Sequence, residues 1–102
     1  MTKFITPGTM PTAYEAELLI ILIEECAEVA QRATKMLRFG IDEIQPNQPH
    51  DNTQRLSVEV GDLLAVVDEC MNVGLIDELV VSGQVPIKLQ KLAKFMQQEA
   101  PK

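Results

Sequence analysis

Apolar residues recur at intervals of three and four from residue 13 to about residue 38, which is the spacing of an amphipathic helix. Thr12 and Glu15 supply the two halves of a capping box at the start of this stretch. Gly40 follows a cationic last turn, in the place where a glycine commonly ends a helix. The pattern therefore predicts a first long helix.

A second helical pattern begins after Asp51 and Gln54, which form another capping box, and runs to about residue 73, before Gly74. Residues 41–51, between the two patterns, contain two prolines and have neither a helical nor a strand period. We predict an irregular connector there. Residues 1–11 show no periodicity either, and we expect them to form a flexible arm.

Two further helices are predicted beyond Gly74. Residues 75–81 favour a short helix closed by Ser82 and Gly83. Pro86 suits the first turn of a medium-length helix over about residues 85–99, which Pro101 ends. The expected fold class is therefore all-α: a single domain over residues 1–102, built as a four-helix bundle with two long helices, one short and one medium.

Composition and charge exclude several classes of protein. The chain has 15 acidic and 9 basic residues and a net charge of −6, which argues against a nucleic-acid-binding surface. Hydrophobic residues make up 46% of the chain, too many for a disordered acidic tail. No apolar run reaches the roughly 18 residues of a membrane span, and no secretory signal precedes Pro7, so we expect a cytoplasmic protein without a membrane partner.

The two cysteines, Cys26 and Cys70, lack the spacing of a metal or redox motif. They are interpreted as two buried free thiols, with a disulfide between packed helices as the alternative.

Acidic residues occupy positions on both long helices where the pattern calls for apolar ones. At about 100° per residue, Glu59 lies in the middle of the apolar stripe of the second helix, with Asp62 at its edge one turn on. Glu25 lies in the middle of the stripe of the first helix, with Glu28 on the same side. Burying ionised carboxylates without partners is costly, and four together repel one another. The sequence therefore predicts a cation between these helices.

The chemistry of the acids favours a hard divalent metal ion. Few bases lie nearby, since the first helix has none before Arg32 and the second has only Arg55, one turn before Glu59. Carboxylate oxygens are the donors that Mg²⁺ or Mn²⁺ prefers. A ferritin-like di-iron site is excluded, because it needs Glu-x-x-His pairs and the only histidine, His50, lies in the connector.

The sequence around these acids resembles the EExxE…ExxD signature of the MazG-like all-α NTP pyrophosphohydrolases. The segment EECAE at residues 24–28 matches the first half, and EVGD at residues 59–62 matches the second. The resemblance covers about residues 15 to 96 and is strongest to the short single-domain members found in phage and bacterial genomes.

The resemblance implies Mg²⁺-dependent hydrolysis of a nucleoside triphosphate to the monophosphate and pyrophosphate, with Mn²⁺ as a substitute. The metal would polarise the α-phosphoryl group and activate the attacking water. Glu24 would order or deprotonate that water; its alternative is a solvated position on the helix. The metal ligands would be four carboxylates, Glu25, Glu28, Glu59 and Asp62.

Basic residues must also face the triphosphate, because a metal alone leaves part of its charge unbalanced. In the family that the chain resembles, a basic C-terminal helix contributes to the phosphate site. The candidates here are Lys35 and Arg38 on the first helix and Lys88 and Lys91 on the last, with Lys35 and Lys91 preferred. For each lysine, a solvated helix face is the alternative.

The first helix carries a second apolar face on the side away from Glu25, with Ile20, Ile23, Ala27 and Ala30. A helix that is apolar almost all round is buried on both sides, which a single chain of this length does not easily provide. We therefore expect a homodimer or homotetramer that completes the bundle and lines the nucleotide pocket with more than one subunit. The resemblance implies the same.

Two functions stay open at this point. The first is the Mg²⁺-dependent pyrophosphohydrolase. The alternative is a non-catalytic helical oligomer that binds nucleotide or metal in a regulatory role. Release of pyrophosphate from a panel of nucleotides, with and without Mg²⁺, distinguishes them.

Overall fold

Three helices follow one another in the computed structural model, which describes residues 8–101. They are α1 (Ala13–Phe39), α2 (Asn52–Asn72) and α3 (Glu78–Phe95). The described part of the chain contains no strand, only an isolated antiparallel bridge between Ile44 and Asp51. The predicted all-α class is confirmed. Residues 8–11 of the predicted arm are non-helical, and the rest of that arm lies outside the described residues.

The capping boxes that the sequence predicts at the starts of α1 and α2 are both present. The Thr12 amide donates to Glu15 Oε1 at 2.8 Å, and the Glu15 amide donates to Thr12 Oγ1 at 3.2 Å. At the start of α2 the Asp51 amide donates to Gln54 Oε1 at 3.0 Å, and the Gln54 amide donates to Asp51 Oδ1 at 2.8 Å. Each box satisfies two amides that a helix start otherwise leaves unpaired, which fixes where these helices begin.

The prediction of two separate helices beyond Gly74, and with it the four-helix bundle, is wrong: a single helix, α3, runs through both Gly83 and Pro86. A helix does not begin at residue 75, because the amides of Leu75 and Ile76 both donate to the Cys70 carbonyl at the end of α2. The helix begins instead after Asp77, whose Oδ1 accepts from the amides of Leu79 and Val80. A glycine inside a helix costs only about 1 kcal/mol relative to alanine, which is too little to end it here.

The connector is an ordered turn held against α2. Pro46 and Asn47 form its corner, where the positive φ of Asn47 (66°) and the hydrogen bond from Gln48 N to Gln45 O at 3.0 Å match a type II turn. At its base the fully buried Asn52 donates through Nδ2 to the Gly40 carbonyl at 2.8 Å and to Glu43 Oε1 at 3.2 Å. The start of α2 is thereby tied to the end of α1.

Only α1 and α2 pack against each other extensively. Leu18 and Cys70 are the two buried hydrophobic residues between them, and no residue of α3 is buried. The radius of gyration is 18.4 Å, against about 13 Å for a compact domain of this length. The second apolar face of α1 is exposed in the single chain, with Ile20 57% and Ile23 69% exposed.

Both cysteines are free thiols, so the disulfide alternative is wrong. Cys70 is buried as predicted, but Cys26 is exposed. The difference follows from the helix faces. Cys70 lies about 20° from Glu59, on the side of α2 that meets α1, whereas Cys26 lies about 100° from Glu25 and is turned out of the contact.

Among the described residues, no helix combines the length and the apolar character that crossing a membrane requires.

Replacing Asn52 should destabilise the hairpin of α1 and α2. In Asn52→Ala the Gly40 carbonyl loses its buried amide donor, so we expect the free energy of unfolding to fall by about 1–3 kcal/mol. Urea unfolding followed by circular dichroism measures this. Thr53→Ala is the matched control, because its exposed hydroxyl makes only a 3.4 Å bond to Ile41 O. An equal loss in both variants would contradict the role given to Asn52.

Candidate functional site

The antiparallel arrangement of α1 and α2 brings the two acidic pairs together. At one end of the hairpin Asn52 donates to the Gly40 carbonyl, and at the other end the Glu69 carboxylate acts on Tyr14, whose pKa its negative charge raises. The acidic pairs lie midway between these two contacts, on the facing stripes of both helices. Residues that are far apart in sequence therefore meet at the middle of one helix–helix contact.

Three of the four predicted metal ligands form a tight group. Glu25, Glu59 and Asp62 each offer a carboxylate oxygen, and these oxygens all lie within 4.8 Å of one another. The fourth, Glu28, is outside this group of oxygens but acts on Glu59, whose pKa it raises. We call these four residues the carboxylate cluster. Its members Glu25 and Glu59 are half-buried, while Glu28 and Asp62 are exposed, so the cluster is open to solvent on one side.

The crowding of like charges raises the pKa of two members above the ordinary glutamate value. For Glu59 the largest cause is the hydrogen bond to Glu28, which needs a proton on one of the two groups; desolvation and repulsion by neighbouring carboxylates add to it. For Glu25 desolvation comes first, followed by repulsion from Glu28, Asp62 and Glu24. All of these effects disfavour the charged form. No cation of the described chain offsets them.

Two oxygens of the carboxylate cluster lack any partner. Glu25 Oε2 and Glu59 Oε2 are both buried and neither accepts a hydrogen bond. An unpaired buried acceptor costs about 1–3 kcal/mol, and more when it is charged. Protons or a hard cation would satisfy these oxygens, and a set made only of carboxylate donors suits Mg²⁺ or Mn²⁺. The residues present therefore fit the divalent ion that the sequence predicts.

The other predicted site residues lie around or away from the cluster. Glu24 is exposed beside Glu25 and contributes to the repulsion there. Lys35 and Arg38 lie near the Phe39 ring, with Lys35 Nζ 5.6 Å and Arg38 Cζ 5.0 Å from its centroid. These contacts are typical of cation–π pairs. The Phe39 ring is thus a partner for both cations, and no bound phosphate is needed to explain their positions.

Lys88 and Lys91 are exposed on α3, which does not pack extensively against α1 or α2 within the chain. One chain therefore does not bring these two lysines and the carboxylate cluster together by helix packing. Their role in phosphate binding stays a prediction.

Sequence reasoning did not single out Arg32 as part of this region. Arg32 is 9% exposed, and its buried Nη1 has no hydrogen-bond partner. It follows Glu28 by one turn and lies about 20° from Glu25 around α1, so the helical construction that found the acids places it on the same stripe. The sequence pattern identifies Arg32 only as the first basic residue of this helix.

Comparisons of the chain with family models, curated proteins and solved structures found no match. The resemblance to the MazG-like pyrophosphohydrolases is therefore a hypothesis from the sequence motifs. The carboxylate cluster stands on its own geometry.

The raised pKa values predict how stability depends on pH in metal-free protein. Between the ordinary value of 4.5 and their raised values, Glu25 and Glu59 bind protons more tightly in the folded than in the unfolded state. Their contribution to stability is therefore fully present below pH 4.5 and is lost as the pH rises through the raised pKa values. We expect the melting temperature to fall as the pH is raised from mildly acidic to neutral.

The Glu59→Gln variant should flatten this pH dependence, because the amide removes both a titrating group and a source of repulsion. Thermal unfolding in chelator-containing buffers measures it. Asp68→Asn is the matched control, since Asp68 is exposed on α2 about 180° from Glu59. A Glu59→Gln protein with the same pH profile as wild type would contradict the assigned electrostatics.

Proposed function

We propose that this chain is an Mg²⁺-dependent nucleoside triphosphate pyrophosphohydrolase that cleaves a (d)NTP to the (d)NMP and pyrophosphate. The observation that carries the proposal is the carboxylate cluster: Glu25, Glu59 and Asp62 of two facing helices bring oxygens within 4.8 Å of one another, two of these residues have an unpartnered buried oxygen, and no cation of the described chain compensates their charge. The motifs EECAE and EVGD, with their resemblance to the MazG-like family, supply the reaction type.

The metal would be held by Glu25, Glu28, Glu59 and Asp62. Bound there, Mg²⁺ supplies Lewis-acid polarisation of the phosphoryl group and a water of lowered pKa. Glu25 and Glu59 would hold the ion from the half-buried side through their Oε2 atoms, since neither of these two oxygens accepts a hydrogen bond. Glu28 and Asp62 lie on the exposed side, where a triphosphate can approach.

Glu24 is the candidate for orienting or deprotonating the attacking water, since it is exposed beside Glu25. Lys35, Arg38, Lys88 and Lys91 are proposed as phosphate-binding residues. The two α3 lysines require that α3 reach a carboxylate cluster, which packing within one chain does not provide. A homodimer or homotetramer with a shared pocket is therefore part of the proposal.

Removing any one ligand should abolish hydrolysis without unfolding the protein. We expect Glu25→Gln, Glu28→Gln, Glu59→Gln and Asp62→Asn each to lower pyrophosphate release from an NTP panel by more than about 100-fold. Stability without metal should stay equal or rise, because each change relieves repulsion. Asp68→Asn serves as the active control.

A fully active Glu59→Gln enzyme would overturn the assignment. A wild-type protein that binds Mg²⁺ but releases no pyrophosphate from any nucleotide of the panel would favour the regulatory, non-catalytic alternative.

Metal binding should also appear as a gain in stability. An ion that binds only the folded protein stabilises it by about 2.7 kcal/mol at one hundred times its Kd. We expect millimolar Mg²⁺ or Mn²⁺ to raise the melting temperature of wild type. The double variant Glu25→Gln/Asp62→Asn should not respond. A wild-type melting temperature that neither ion changes, with or without nucleotide, would contradict the proposed site.

A further inference from the structure

The charges on α1 give the proposed site a direction. Every charged residue of this helix before Glu28 is acidic, and every one after it is basic. Arg32 and Lys35 follow Glu28 by four and seven residues and lie within about 40° of it around the helix. In the proposed function, a triphosphate whose α-phosphate meets the metal therefore extends its other phosphates towards the connector. Its nucleoside then points the opposite way, towards the start of α1.

A cavity of about 250 Å³ lies at that end of the hairpin, lined by Tyr14, Glu17, Leu18 and Ile21. We call it the Tyr14 pocket. Leu18 is buried and Ile21 half-buried, so the inner wall of the pocket is apolar. The Tyr14 side chain is 55% exposed and has ring surface free for contact. Pockets for drug-sized ligands measure about 300–1,000 Å³, so this one suits a single ring system rather than a complete nucleotide.

The Tyr14 pocket opens on the same side of α1 as the exposed part of the carboxylate cluster. Glu17 and Ile21 each lie within about 20° of Glu28 around the helix. Leu18 precedes Glu25 by seven residues, which is two turns or about 10 Å along the helix axis. This distance matches the span from the α-phosphate to the far edge of the base in an extended nucleotide, with the sugar between. One nucleotide can therefore reach both places at once.

The charge of the Tyr14 pocket favours a base over a phosphate. Glu17 lines the pocket, and Glu69 of α2 acts on Tyr14, whose pKa its negative charge raises. Two carboxylates repel a phosphate, but they accept hydrogen bonds from the N–H groups at the edges of bases. A flat base also gains from stacking on an aromatic ring, as it does in proteins that bind single-stranded nucleic acids.

We propose that the Tyr14 pocket holds the nucleobase of the substrate, stacked on the Tyr14 ring, while the phosphates lie over the carboxylate cluster and point towards Arg32 and Lys35. This assignment rests on the proposed function. It adds the direction in which the substrate binds and the side chain that its base contacts.

The composition of the chain makes the stacking directly observable. Tyr14 is the only tyrosine, and there is no tryptophan, so the NMR signals of a ¹³C-labelled tyrosine ring report on this pocket alone. The labelled protein is titrated with Mg²⁺ and the non-hydrolysable α,β-imido analogues of the four canonical deoxynucleoside triphosphates. We expect at least one analogue to move the Tyr14 ring signals upfield, because a stacked base shields them. Inorganic tripolyphosphate with Mg²⁺ is the control, since it carries the phosphates without a base and should leave these signals in place.

The failure of this assignment is distinguishable from the failure of the proposed function. If calorimetry shows that an analogue binds with Mg²⁺, but the Tyr14 signals move no more than they do with tripolyphosphate, the assignment of the pocket is overturned and the proposed function stands. If none of the analogues binds, the proposed function fails and the assignment fails with it.

A matched pair of variants measures the contribution of the ring. We expect Tyr14→Ala to raise the Kd of the bound analogue about tenfold, whereas Tyr14→Phe, which keeps an aromatic ring, binds it as wild type does. Both variants should bind tripolyphosphate with Mg²⁺ as wild type does, which also shows that the hairpin is folded. An equal loss for tripolyphosphate and analogue, or an unchanged Kd in Tyr14→Ala, overturns the proposal. If Tyr14→Ala does not fold, the NMR result on wild type decides.

Discussion

Repulsion among carboxyl groups at the contact of α1 and α2 is the constraint on which this protein depends. This contact is also the only extensive helix packing in the described chain, so the acids occupy the place where a stabilising core would normally lie. The protonation that the raised pKa values of Glu25 and Glu59 favour relieves the repulsion in part, at a cost that grows with pH. Binding a cation relieves it without that cost. The stability of the hairpin is therefore linked to pH, and a bound cation would raise it.

The shortage of core follows from the same arrangement. Leu18 and Cys70 lie towards one end of the hairpin and Asn52 at the other, which leaves the middle to the carboxylate cluster. Polar contacts then supplement the apolar burial: the Asn52 bonds tie the start of α2 to the end of α1, and the capping boxes stabilise the start of each helix by itself. A chain with so few buried apolar residues needs a further apolar contact to reach ordinary stability. The exposed faces of α1 and α3 are the surfaces available for it.

The parts of the fold that sequence alone predicted are those decided by neighbours within one helical turn. The capping boxes placed the starts of α1 and α2, and helical periodicity placed Glu25 and Glu59 on facing stripes. The start of α3 could not be predicted in the same way, because it depends on the competition between the Asp77 cap and the bonds that Cys70 makes to the segment between α2 and α3. The exposure of Cys26 and the burial of Arg32 follow from the same periodicity, since Cys26 lies about 100° and Arg32 about 20° from Glu25 around α1.

The donor set restricts which cation the carboxylate cluster suits. The cluster contains neither sulfur nor nitrogen ligands, since Cys26 is turned away from it and His50 lies in the connector, so copper and zinc have no preferred donors there. Glu28 and Asp62 are exposed, so the protein surrounds the site on one side only. A half-open site of this kind suits an ion that keeps several water ligands or exchanges them for phosphate oxygens. Among the hard cations, Mg²⁺ binds in this way, whereas protein oxygens surround Ca²⁺ more completely. In the proposed function, this open side is where a triphosphate would reach the ion.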